Sequence, residues 1–392
     1  MNITLINTWR VIDAKGGTEK VFCDMANELS RRGHNVTAIC CDNKDGMPGF
    51  PLDDRVKLVN AGLIPTPFYL SKFVRKIQSF SFSRLERRKK RATLKGDILV
   101  YKLRNVLNNI RTDVIVSFQI ETTHALKTLF GNSVPLVTML HGKPIRYFNP
   151  AVSAAVKSSV ESSDVIQVLR PEFVDEVLSV LPNAKVEVIP NVVPQFLESG
   201  KHNSSTIINV GRISPEKRQA LLIEAFHVIK DEFPDWKVEL WGETCHSPKY
   251  SRKIASLIKE KKLEDRVLLC GTTNDVPSQL EKASIFVFPS QHEGWGLALT
   301  EAMAMGLPSI GCKECSAVNT LIKDGHNGYL CDSTPASLAN AMRKLISDEN
   351  IRNLFGVNAK LDMKAFAADC VWNQWESLLY SINNAKEKEL KK

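Results

Sequence analysis

The sequence predicts an α/β protein built from two doubly wound, parallel-sheet domains of nearly equal size. Three observations lead there. Short apolar runs alternate with helix-patterned stretches along nearly the whole chain, the rhythm of strand–crossover–strand units that wind right-handedly into parallel sheets. Several of the runs are apolar throughout, as in strands covered on both faces. At 392 residues the chain is also too long for one typical core.

In order, the first half places strands at 3–7 (ITLIN), 35–40 (NVTAIC), 56–59 (VKLV), 113–118 (DVIVSF), 135–140 (PLVTML), 164–169 (DVIQVL) and 185–190 (KVEVIP). Between the first two, residues 18–33 read as a helix with Val21, Phe22, Met25 and Leu29 on one face, Thr18 as N-cap and Gly33 as stop. The second half repeats the rhythm at 206–211 (TIINVG), 237–242 (KVELWG), 266–271 (RVLLCG), 285–289 (IFVFP), 307–312 (LPSIGC) and 328–331 (GYLC). The stretch NVVPQFLESGKHNSS at 191–205 lacks periodicity and carries Pro, Gly and Ser, so it reads as a linker. The expected organisation is an N-terminal domain over 1–190, the linker 191–205, and a C-terminal domain over 206–365. A terminal helix over 366–392 is expected to pack back toward the first domain. A ligand is expected in the cleft across which the two domains face each other, at the carboxyl ends of the strands.

Composition is that of a soluble globular chain, 43% hydrophobic and 24% charged. No run of about 18 apolar residues suggests a membrane span. MNITLINTW at the start has neither a basic leader nor a long apolar region, so no signal peptide is expected. Nine cysteines scattered through apparent core elements suit a reducing cytosol. Cys312 and Cys315 form a C-x-x-C without a second pair or a neighbouring histidine, so two buried thiols are expected rather than a metal or redox site. The net charge of +9 is concentrated: residues 72–111 hold thirteen Lys or Arg against Glu86 and Asp97, and the remainder is near neutral.

Three stretches in the second half carry chemistry-bearing residues to strand ends. The first, PSQHEGWGLALTEAMAMGLPSI (289–310), reads as strand, Gly-rich turn and helix, with Gly306 and Pro308 ending the helix. Gly294 and Gly296 allow close backbone approach to a ligand, and the free N–H groups of the helix start suit phosphate. Glu301, a turn into the helix, would be repelled by phosphate but can accept hydrogen bonds from hydroxyls beyond it. A sugar-bearing nucleotide has that layout. The second, NVGRISPEKR (209–218), sends Arg212 and Lys217 from one strand end; a guanidinium and an ammonium suit a diphosphate, although a solvated basic loop has the same pattern. The third, CGTTND (270–275), ends a strand in small polar residues suited to reading a base edge through the backbone, or to a plain turn and cap.

Together these stretches resemble the family-4 glycosyltransferases of the GT-B fold. E-G-W-G-L-A-L-T-E-A-M-A-M-G-L-P is similar to the family's two glutamates with seven residues between them. GRISPEKR resembles its G-R-x-x-x-x-K element, DGHNGYL (324–330) its closing turn, and KGGTEKVFCDMANELSRRGHNV (15–36) its G-G-x-E loop, helix and following strand. The resemblance implies that Arg212 and Lys217 neutralise the donor's diphosphate. It implies that Glu293 lies beside the transferred sugar and Glu301 accepts from the ribose. Backbone amides around Gly294, Trp295, Gly296 and Leu297 would point at the sugar and phosphates, and Thr272 would border the base. Gly16 and Gly17 would let the N-terminal loop approach the diphosphate, and His141 would sit near sugar and acceptor. Such enzymes usually retain anomeric configuration; the nucleotide sugar, UDP-linked on family habit, is a co-substrate, and no further cofactor or metal is expected.

Three departures from the family pattern stand out: NVVPQF (191–196) where N-G-V-D is common, WGET (241–244) in place of G-x-G, and Gly142 rather than an acidic residue after His141. The acceptor implied is a glycan or a lipid-linked sugar of lipopolysaccharide, capsule or a related surface polymer. In LSKFVRKIQSF (70–80) Leu70, Phe73, Val74 and Ile77 share a helical face with basic residues outside it, and RLERRKKR (84–91) follows. Residues 68–95 thus suit docking of a cytoplasmic enzyme on the anionic inner face of a bacterial cytoplasmic membrane, or equally a core-packed helix and a solvated loop. Nucleic acid is not an expected partner, since no recognised module or stacking pattern is present. A phosphorylase or nucleotide-sugar epimerase on the same scaffold, and a nucleotide-sugar-binding protein without turnover, are the competing readings; intact Arg212, Lys217, Glu293 and Glu301 argue against the last.

Overall fold

A computed structural model of the chain describes residues 1–62, 96, 98–149, 152–200, 203–244 and 247–390. The basic segment 68–95, and with it the expected membrane-docking surface, lies outside the described residues. Two compact units emerge: Met1–Pro190 together with Val371–Lys392, and Asn191–Cys370.

The first unit is a seven-stranded parallel sheet: β1 (Asn2–Asn7), β2 (Asn35–Cys40), β3 (Lys57–Asn60), β4 (Val114–Ser117), β5 (Leu136–Leu140), β6 (Val165–Val168) and β7 (Val186–Val188). Their order across the sheet is β3-β2-β1-β4-β5-β6-β7. The second unit is a six-stranded parallel sheet of β8 (Thr206–Val210), β9 (Lys237–Trp241), β10 (Val267–Gly271), β11 (Ile285–Phe288), β12 (Ser309–Cys312) and β13 (Gly328–Cys331), ordered β10-β9-β8-β11-β12-β13. Every strand begins within two residues of its predicted start. The apolar runs were informative because both faces are covered: Val114, Ile115 and Val116 of β4 and all four residues of β11 are buried. The strands of the second unit pack on helix 219–229 and helix 335–347 through Leu222, Phe226, Leu338 and Met342, in one core with Ile207, Val238 and Val287.

The first helix runs Gly17–Arg31 and buries Phe22, Met25 and Leu29, with Cys23 and Ala26 between them. Two details differ from the sequence reading. Val21 is only half-buried. The N-cap is Gly16, in extended conformation, not Thr18: the chain turns helical at Gly17, so Thr18 already lies inside the first turn, where its hydroxyl cannot cap. At the other end the Gly33 and His34 amides close on the carbonyls of Ser30 and Leu29 at 3.0 and 3.1 Å, as a glycine stop should.

Residues after Pro190 belong to the second unit. The Val193 amide donates to the Phe366 carbonyl at 2.9 Å, Gln195 Nε2 to the Met363 carbonyl at 3.3 Å, and the Gly200 amide to the Met305 carbonyl at 2.8 Å. The last helix, Ala368–Leu390, is grouped with the first unit from Val371 onward. Its Val371, Trp372, Trp375, Leu379 and Ile382 are buried, a spacing that lies along one helical face. Glu376 accepts from Arg32 at 2.9 Å and lies 3.0 Å from His34 Nε2. Among the described residues no helix is long and apolar enough to cross a membrane.

Candidate functional site

In the second unit the strand order reverses between β8 and β11, the place where open parallel sheets take ligands. Asn209, buried near the end of β8, donates through Nδ2 to the Val287 carbonyl at 2.8 Å and so ties the two strands together. Beyond β8 the chain is held on three sides. Gly211 and Ile213 donate to the carbonyls of Trp241 and Glu243 at 2.8 and 3.0 Å. Gln219 Nε2 donates to the Arg212 carbonyl at 3.0 Å. The amide of Gln291, from the loop after β11, donates to the Glu216 carbonyl at 2.8 Å. A single 3-10 turn, Pro215–Lys217, then presents Lys217.

These links bring together two side chains that are 76 residues apart: Lys217 Nζ stands 2.5 Å from Glu293 Oε1, with side-chain exposures of 18% and 12%. Lys217 Nζ also lies 5.3 Å from the centre of the Phe288 ring. A largely desolvated pair of this kind is locally neutral, and each partner fixes the other. The three protons of an ammonium leave donors for a further acceptor. Glu293 opens the turn into helix Leu297–Ala304, whose N-cap is Gly296 at φ 89°. A side chain there would be strained and would stand 3.4 Å from Phe288, which accounts for a glycine at this position; Gly294 has no positive φ. On the helix Leu299, Thr300, Ala302, Met303 and Ala304 are buried, whereas Leu297, Ala298 and Glu301 are half-buried. Glu301 therefore shares the open face with the helix start, one turn further along. The Trp295 side chain is a core element, edge-on to Phe366 at 5.0 Å, so only its backbone is available to a ligand.

Arg212 is exposed in the loop that leads from β8 to Lys217. Thr272 is exposed just past β10, which is three strands from β11 in the sheet, so it could meet only the far end of an extended ligand. Within WGET the glycine that is kept has a steric reason: a Cβ on Gly242 would stand 1.9 Å from the Gly211 carbonyl oxygen. Cys312 and Cys315 are buried free thiols.

The first unit has its own reversal, between β1 and β4. The loop after β1 leads to Gly16 and Gly17 at the start of helix Gly17–Arg31. A Cβ on Gly16 would fall 2.1 Å from Glu19 Oε2. His141 follows β5; its ring stacks on Phe118, just past β4, with centroids 5.0 Å apart. Burial lowers its pKa to about 4, so the imidazole is neutral at physiological pH, and its Nε2 is enclosed without a hydrogen-bond partner.

Sequence reasoning passed over Arg218. It caps helix Gln219–Ile229 in a left-handed conformation, φ 52°, and donates to Ser333 Oγ at 2.5 Å, while Ser333 Oγ donates to Glu314 Oε2 at 2.6 Å. The serine hydroxyl holds the Glu314 carboxyl below its usual range. A basic residue inside a basic loop carries no sequence signal for such a backbone.

Residues 15–195 match the model for glycosyltransferase family 4 and residues 195–362 the model for glycosyl transferases group 1. Over 99% of its length the chain is 26% identical to an exopolysaccharide phosphotransferase of Streptomyces coelicolor, of which it spans 41%. Over 94% of its length it is 25% identical to the N-acetyl-alpha-D-glucosaminyl L-malate synthase of Bacillus anthracis, of which it covers 94%. Among solved structures, a mutant of S. aureus TarM in complex with fondaparinux, alpha-GlcNAc-glycerol and UDP has a TM-score of 0.73 at 16% identity, covering 96% of this chain and 99% of that one. The last likeness carries the fold: two Rossmann-like units of the GT-B type.

Proposed function

This chain belongs to the family-4 glycosyltransferases, and on that premise we propose that it moves a hexose-type sugar from a nucleotide diphosphate sugar to a glycan or lipid-linked acceptor. The observation that carries the reading is the Lys217–Glu293 pair at 2.5 Å, at the strand reversal of the second unit and next to an open helix start. In this proposal UDP-sugar is the donor, since the fold neighbour from S. aureus was solved with UDP. The product belongs to lipopolysaccharide, capsule or a related surface polymer, and the enzyme works on the cytoplasmic side, docked through residues 68–95.

The proposed chemistry uses the chain's own charges. Lys217 and Arg212 stabilise the diphosphate as it leaves, and the amides from Gly294 to Leu297 assist, so an oxocarbenium-like sugar forms without a metal. The acceptor hydroxyl enters on the face the diphosphate vacates and gives its proton to a phosphate oxygen, which retains configuration. Glu293 accepts from the sugar hydroxyls while keeping Lys217 in position; Glu301 accepts from the ribose; Thr272 borders the base. On the first unit, Gly16 and Gly17 let the loop approach the diphosphate, and neutral His141 offers a hydrogen bond to the sugar or acceptor.

The test is thermal-shift titration with UDP, GDP, ADP and CMP on the wild type and on Glu301→Ala. A nucleotide bound only by the folded chain stabilises it by roughly 2.7 kcal/mol at a hundredfold excess over its Kd. A shift with UDP that is lost or much reduced in Glu301→Ala is expected. No shift with any nucleotide overturns the donor reading, and conversion of UDP-sugar into an isomeric UDP-sugar without acceptor and without release of UDP would make the protein an epimerase.

A further inference from the structure

Three exposed apolar side chains of the first unit stand past the carboxyl ends of its strands. Among its described residues Trp9, Met47, Tyr101, Ile145 and Tyr380 are the large hydrophobics left exposed. Trp9 follows β1, Met47 follows β2 and Ile145 follows β5, so three of the five stand past the carboxyl ends of strands, where doubly wound sheets take ligands.

Trp9 is 48% exposed, yet the loop that carries it is pinned. Its amide donates to Asn7 Oδ1 at 3.0 Å, and the same oxygen accepts from Gln119 Nε2 at 2.7 Å. Thr8 is fastened to Gln119 Oε1 through its amide at 2.8 Å and its hydroxyl at 3.1 Å, and its hydroxyl lies 2.9 Å from that of Thr122. Further along, the Val11 and Ile12 amides donate to the buried Asp42 Oδ2 at 2.9 and 3.2 Å, and the Asp13 amide to the Met47 carbonyl at 3.2 Å. An indole left in water on a mobile loop would be an accident of the surface. An indole on a backbone fixed on both sides starts from a defined place, which lowers the entropy cost of binding.

The groups fastened around Trp9 at the β1/β4 reversal, Asn7, Thr8, Gln119 and Thr122, are all neutral. A flat aromatic face beside uncharged amides and hydroxyls suits a ligand that has both an apolar face and a polar rim. A pyranose ring is such a ligand: its C–H bonds, slightly positive, lie against the negative face of the indole, and its hydroxyls project from the rim. We propose that Trp9 is the platform for a pyranose ring of the acceptor, and so a specificity-determining residue. The word acceptor rests on the transferase reading; the stacking itself does not.

The test labels the full chain with 5-fluorotryptophan. Its six tryptophans give separate fluorine resonances, and Trp9→Phe identifies the Trp9 resonance by its loss; five unmoved resonances show that the variant is folded. The probes are the methyl glycosides of glucose, galactose, mannose and N-acetylglucosamine, with glycerol as a polyol without a ring and uridine as a competing aromatic ligand. The expected result is a saturable shift of the Trp9 resonance with at least one glycoside, smaller or absent with glycerol. No shift with any glycoside, an equal shift with glycerol, or a shift with uridine alone overturns the platform. The UDP titration is read separately, so failure of the donor reading leaves a sugar site at Trp9, and failure at Trp9 leaves the donor reading in place.

Discussion

Replacing Lys217 by Met and Glu293 by Gln, singly and together, separates two roles for their contact. The pair is 2.5 Å apart with side chains 18% and 12% exposed. At an effective dielectric near 20, unit charges 4 Å apart attract by about 4 kcal/mol, part of which desolvation cancels. A coupling of about 2 kcal/mol remains once desolvation is counted. Removing one partner leaves the other charge largely buried, so each single variant should lose about 3 kcal/mol. The double variant should then lose about 4 kcal/mol rather than about 6. For a unit of this size about 3 kcal/mol lowers Tm by roughly 6–12 °C, which scanning calorimetry resolves.

Nucleotide affinity gives the second readout. Losing a charge-assisted bond of about 1.5–3 kcal/mol should weaken UDP about 10–150-fold in Lys217→Met. In Glu293→Gln the ammonium is released from its carboxylate, and UDP should bind about as tightly as in the wild type or up to about fivefold tighter, near 1 kcal/mol. Additive Tm losses would refute the coupling. Weakening of UDP by Glu293→Gln as severe as that by Lys217→Met would refute the idea that carboxylate and diphosphate compete for one lysine, and would leave positioning of Lys217 as the whole effect of Glu293 on the nucleotide.

Two further outcomes follow from the same structure. His141 has a folded-state pKa of about 4 against an ordinary 6.5, so between those values the unfolded chain holds a proton that the folded chain does not. Stability from this residue is therefore present above about pH 6.5 and falls as pH drops toward about 4, by about 3 kcal/mol in all; urea midpoints of the wild type and His141→Phe should diverge across that window and nowhere else. Gly242→Ala places a Cβ 1.9 Å from a backbone oxygen, whereas Gly271→Ala, at φ 73°, meets nothing within 4 Å. The first should cost about 3 kcal/mol or more and the second about 1–2, so equal Tm losses would show that close packing of the loops after β8 and β9 is not what requires the glycine.

The inner strands β4, β5, β11 and β12 were legible because each is buried throughout and so announces itself as an apolar run. The outer strands β3 and β7, only half-covered, were legible through the alternating rhythm. Local competition was less legible. Thr18 is a good N-cap by residue type, yet the Gly16-Gly17 dipeptide lets the helix begin earlier, and no propensity scale decides between neighbours. The residues around the second unit's reversal could be found because they flank strand ends, and Gly296, unlike Gly294, turned out to need its glycine conformation. What the sequence could not reveal is the contact between Lys217 and Glu293: it depends on the Gln291–Glu216 and Asn209–Val287 links, which follow from β8 and β11 becoming neighbours only after a crossover. For the same reason Trp9 reads in sequence as one more apolar residue after a strand, and becomes distinctive only when its neighbours stand around it.

Strain is placed with the same logic. Among the described residues three non-glycine residues have positive φ: Asp13, Arg218 and Lys262. Lys262 follows helix Pro248–Glu260, where the Leu263 amide closes on the Ile258 carbonyl at 3.0 Å, an ordinary helix ending. The other two sit in the loops after β1 and after β8, each on one side of the strand reversal in its own sheet. A left-handed side-chain-bearing residue costs about 1–2 kcal/mol, and such residues persist only where surrounding contacts over-determine them. Here the contacts are visible: Asp13 is paired with Lys44 and bonded through its amide to Met47, and Arg218 reaches Ser333 and through it Glu314. Neither residue is needed to end a helix or close a hairpin. The contacts that tolerate this strain fix the backbone path of the two loops that carry Trp9 and Lys217, so that both residues start from a defined place before any ligand arrives.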